Sequence, residues 1–105
     1  MGWTKERKKL EKLSEKITAL QNYDGHNLTI ITDIYEQYSH TVRILKNKAP
    51  EVFHDLYLNE LQQVKLCKKT LKDGQEEDRQ LNFTTYKETL SNALAKTVQT
   101  IKSTD

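Results

Sequence analysis

A chain of 105 residues and 12.3 kDa fits one small domain and excludes a catalytic domain joined to a regulatory one. Seventeen Lys and Arg against fifteen Asp and Glu leave a net charge of +2, which speaks against a dominant polyanion-binding surface. Leu, Ile, Val and Phe total 25, enough for a thin core, whereas three Gly and one Pro are too few for the frequent turns of an all-β fold.

Punctuation at Asn22-Tyr23-Asp24-Gly25, at Asn47-Lys48-Ala49-Pro50 and at Asp73-Gly74, with a charged run to Arg79, divides the chain into four segments. In the first, Leu10, Leu13, Ile17 and Leu20 recur at helical spacing and predict a helix over 5–22 with a narrow apolar seam. Thr4 is its expected N-cap and Gly25 its expected stop.

In the second segment Leu28, Ile31, Tyr35, Tyr38, Val42 and Leu45 keep the same period, widened by Ile30, Ile34 and Ile44. A strand would alternate instead. Pro50 then suits the first position of a third helix, whose amide would be unpaired in any case. Along it Phe53, Leu56, Leu61, Val64, Cys67 and Leu71 share one face, with Lys65, Lys68, Lys69 and Lys72 on the other and Gly74 as the stop. The fourth segment takes Asn82 as a cap, with a capping box at Thr85-Tyr86-Lys87-Glu88. It carries a stripe of Tyr86, Leu90, Ala93, Leu94, Val98 and Ile101.

Four amphipathic helices on short loops predict an all-α, antiparallel up-down four-helix bundle. The alternative is a three-helix core with the first helix detached or used for dimerisation. Residues 1–105 are read as a single helical domain with frayed ends at about 1–4 and 103–105.

The sequence offers little for catalysis. Glu51 and His54 form one Glu-x-x-His pair, but a carboxylate-bridged metal pair needs a second, and Glu36 to His40 is one residue too long. His26 falls in a loop. Cys67, the single cysteine, lies on the apolar face and reads as a small core residue. Asp73, Glu76, Glu77 and Asp78 lack the alternating ligands of a calcium loop. The expectation is a non-enzyme with no metal and no cofactor.

Basic residues are the next candidates. From Lys5 to Lys16 six basic residues face three acidic ones, which can pair along the helix, as Arg7 with Glu11. Lys65, Lys68, Lys69 and Lys72 have no acid among them and form the cleaner basic patch. Trp3 ahead of a Lys-rich helix also has the pattern of an interfacial anchor, although its apolar side lacks bulk. Tyr35, Tyr38 and Tyr57, with Trp3, are the expected partner-binding residues, because Tyr and Trp are enriched at protein interfaces. The bland alternative places these tyrosines at the bundle rim.

In helix number and length, and in no diagnostic residue, the chain resembles small bacterial helical bundles: bacteriocin immunity proteins, secretion chaperones and phage-encoded inhibitors. The leading expectation is a non-catalytic, cytoplasmic protein-interaction module of adaptor, chaperone or inhibitor type, binding a protein partner through an exposed helix face. An immunity-like protein acting at a membrane-associated target and a nucleic-acid accessory protein are the alternatives. Homo-oligomerisation and peripheral membrane contact would be compatible with these readings, and no transmembrane segment is expected.

Overall fold

The computed structural model describes residues 3–104, which are almost wholly helical and contain no strand. Helix α1 covers Thr4–Thr18 and α2 covers Gly25–Lys48. A third rod joins α3 (Pro50–Asp55), a π-helical turn (Leu56–Glu60) and α4 (Leu61–Asp73). After a 3-10 turn at Glu76–Asp78, α5 runs over Arg79–Thr104. With the third rod taken as one, four helices form a prism of 46 × 24 × 17 Å.

The apolar seams meet in one core. Leu10, Leu13, Ile17 and Leu20 of the first segment are all buried, and α1 packs against α2 and α5. The alternative with a detached first helix is therefore corrected, since its seam is already covered within the chain. On α5 the buried stripe is Phe83, Tyr86, Leu90, Ala93, Leu94, Thr97 and Ile101, with Val98 only partly buried. The threonines that lower the helix propensity of α5 return their hydroxyls to carbonyls four residues back: Thr84 to Gln80 at 3.0 Å, Thr85 to Leu81 at 3.1 Å and Thr100 to Lys96 at 2.8 Å.

Three expected helix ends fall elsewhere. Trp3, not Thr4, holds the cap position of α1, and Thr4 is already helical. Gly25 does not stop α1 but opens α2, because the Asp24 carboxylate accepts the Asn27 amide at 2.7 Å and satisfies a first-turn donor. Asn82 and Thr85 lie inside α5, which the acidic turn at Glu76–Asp78 starts one turn earlier than expected. Pro50 does occupy the first turn of α3.

Gly74 ends α4 in an extended conformation, φ −76° and ψ 170°, so it is not needed for a left-handed turn. It is needed for space. A Cβ there would lie 2.7 Å from Asn82 Nδ2 and 2.8 Å from the Thr70 carbonyl oxygen. Of the ends expected to fray, residues 1, 2 and 105 lie outside the described residues, while Thr4 belongs to α1 and Ser103 and Thr104 to α5.

The π turn resolves an irregularity in the apolar spacing. Leu56 and Leu61 are five residues apart, too far for one face of a regular α-helix, yet both are buried. The Leu61 amide donates to the Leu56 carbonyl, and this wider turn brings the two leucines to the same side. Among the described residues, no helix is long and apolar enough to cross a membrane.

Candidate functional site

The four lysines of α4 come together. Lys65, Lys68, Lys69 and Lys72 line an open groove of about 560 Å³, which Tyr35 of α2 and Leu66 complete. Asp73 is the one acidic residue in its lining. None of the four lysines makes an ion pair among the described residues. The cations of the first helix are elsewhere: α1 packs on α2 and α5 and contributes nothing to the groove. There Arg7 meets Glu11 at 3.0 Å, the helical pairing that its spacing predicts.

Lys68 is the most enclosed of the set. Its Nζ sits 4.9 Å from the centre of the Tyr35 ring, so the ring face partly compensates its lost hydration. Burial pushes the Tyr35 phenol above its ordinary pKa, although Arg43 pulls the other way. Arg43 and His40 border a neighbouring hollow of about 350 Å³ that also reaches Lys68, with Glu36 as its acid. Leu66 stands among the lysines at 64% exposure. Its sequence signal is a leucine opposite the apolar face of its helix, set among lysines.

The expected aromatic patch does not assemble. Tyr38 has no exposed surface; its hydroxyl lies 3.0 Å from Thr97 Oγ1 in the middle of the bundle. Tyr35 is 7% exposed and serves as floor. Tyr57 is half-buried under Lys46, whose Nζ is 4.3 Å from the ring centre. Trp3 packs edge-on against Phe53 at 5.6 Å, turned onto the core. An amphipathic ring can serve core or surface, and here the opposing polar or apolar neighbour decides which.

The candidate chemical residues stay apart. Glu51, His54 and His26 are exposed, and no cluster of metal-ligating side chains exists among the described residues. Cys67 is half-buried, its Sγ 3.5 Å from Thr89 Oγ1.

A second hollow, unforeseen from the sequence, adjoins the groove and shares Lys68 and Lys72 with it. Its volume is about 350 Å³, and Tyr23, Arg79, Leu71 and Tyr86 complete much of its wall. Arg79 Nη1 donates to the Tyr23 hydroxyl at 2.9 Å, while the Tyr23 amide donates to Gln80 Oε1 at 2.8 Å. These bonds fasten the loop before α2 to the start of α5. Compared with known proteins, the chain matches no family model, no curated protein and no solved structure.

Proposed function

We propose that this protein is a non-catalytic helical interaction module whose α4 groove receives an acidic segment of a partner protein. The observation that carries the reading is the convergence of Lys65, Lys68, Lys69 and Lys72 on one groove around exposed Leu66. The lysines attract carboxylates within a Debye length of about 10 Å, and Leu66 supplies an apolar contact that a phosphate backbone would leave uncovered. That leucine favours an acidic protein segment over nucleic acid.

The reading takes the helices in up-down-up-down order. Contacts at successive heights support this: Glu11 reaches Lys102 while Leu20 reaches Lys87, and Glu60 reaches Lys96 while Cys67 reaches Thr89. In that order α2 and α4 are neighbours that frame the groove.

The test is carbodiimide cross-linking in native cells followed by affinity capture, with and without nuclease. A stoichiometric, nuclease-resistant protein joined through its Asp or Glu to Lys65 or Lys69, and lost from a Lys65→Ser/Lys69→Ser variant of unchanged helicity, is the expected result. Retention by the double variant overturns the groove assignment. Loss of all bound material with nuclease transfers the groove to nucleic acid.

A further inference from the structure

Three large apolar side chains stand exposed among the described residues: Leu58, Leu66 and Leu81. Two of them belong to the third rod. Leu58 and Leu66 are eight residues apart, slightly more than the about 7.2 of two regular helical turns, and the wider π turn at Leu56–Glu60 takes up the excess. Leu58 therefore continues the row of Gln62, Leu66 and Asp73, beyond the end of the groove that those three line. Lys65, Lys69 and Lys72 run beside this row at successive helical turns.

An apolar row about 12 Å long with cations along one side limits what can cover it. An extended acidic segment would lay its backbone amides and carbonyls against the leucines, and the described residues contain no strand edge to pair with them. A helix pairs its own backbone, and its side chains return at about 5.4 Å per turn, the interval at which the lysines are set. A second copy of this chain offers no such helix, because its own apolar seams are buried in the core. Nucleic acid would leave both leucines uncovered.

We infer that the acidic partner segment is an amphipathic helix lying along the third rod, with two apolar residues about two turns apart on Leu58 and Leu66 and carboxylates one turn apart toward Lys65, Lys69 and Lys72. Such docking rests on the groove reading and extends the contact surface to Leu58.

Fluorescence anisotropy and amide NMR of the intact protein with three labelled peptides test this docking. Each is a capped, alanine-based chain of about 18 residues, long enough to form a helix on binding. One carries its Leu and Glu on a single helical face, one carries them scattered around the helix, and one repeats the first with two central prolines. The first should bind at least tenfold more tightly than the others, gain helical circular dichroism on binding, and shift the amides of Leu58, Gln62 and Leu66. Leu58→Ser and Leu66→Ser, both at exposed positions, should each weaken it about fivefold or more with unchanged helicity of the protein. Lys65→Ser/Lys69→Ser should remove binding of all three peptides. No binding of the first peptide, equal affinity for the scattered or proline peptide, or unaltered affinity of Leu58→Ser overturns the helical docking, whereas the groove reading stands or falls separately on the cross-linking result. Tighter binding of a single-stranded RNA than of the first peptide, or a dimer in sedimentation that Leu58→Ser abolishes, overturns it as well.

Discussion

The Tyr38 hydroxyl and Thr97 Oγ1 face each other across the bundle at 3.0 Å, joining α2 to α5 where neither residue has measurable exposure beyond 0%. Thr97 already donates to the Ala93 carbonyl at 2.8 Å, so Tyr38 is the donor between the two hydroxyls. The order of donation makes the two truncations unequal. Tyr38→Phe removes a donor whose acceptor remains bonded, and should cost about 0.5–1.5 kcal/mol. Thr97→Val leaves the phenol with only the Ala93 carbonyl at 3.4 Å, and should cost about 1–3 kcal/mol. Urea unfolding of both variants and their combination checks this; a double variant close to Tyr38→Phe alone confirms the pairing.

The same burial predicts an alkaline limit. Desolvation, only partly offset by the Thr97 hydrogen bond, lifts Tyr38 from an ordinary 10.0 to about 12, and burial raises Tyr86 as well. A phenol held neutral in the fold contributes stability that is whole below pH 10 and lost as pH rises through its folded pKa. Between pH 10 and about 12, Tyr38 alone should steepen the fall in stability by up to about 1.4 kcal/mol per pH unit. Denaturant midpoints across that interval should fall less steeply for Tyr38→Phe than for the parent chain.

Two glycines should respond oppositely to the same substitution. At Gly74 a Cβ would lie 2.8 Å from the backbone oxygen of Thr70, and Gly74→Ala should cost about 1–3 kcal/mol through overpacking. At Gly25 a Cβ would meet nothing within 4 Å, and Gly25→Ala in the first turn of α2 should gain about 0.4–1 kcal/mol by restricting the unfolded chain. Thermal unfolding of the two variants side by side measures the difference.

Helix number was legible because leucine and isoleucine spacing reports burial directly: Leu13, Ile31, Leu61 and Leu90 are all in the core. Helix ends were less so. Asp24 and Gly25 are adjacent, and each is a boundary residue; only the bond from the Asn27 amide shows that the boundary is a start. Tyrosine placement was least legible, since the partner that draws Tyr38 inward stands 59 residues away. The lysine cluster was readable as a charged helix face. Its groove was not, because Tyr35 belongs to another helix, and the Arg79 hollow needs side chains from four parts of the chain.

The π turn sets the azimuth of everything after it. An α-helical residue advances by about 100°, so deleting one residue from a regular α-helix rotates everything after it by that angle. Here the opposite holds: the deletion would convert a five-residue interval to four, keep Leu56 and Leu61 on one face, and leave Lys65 to Lys72 pointing at Tyr35. An insertion at the same place would carry no such compensation and would swing the lysines away from the groove. Length variation in this rod is thus tolerated in one direction alone, and the π turn is the slack that makes it so.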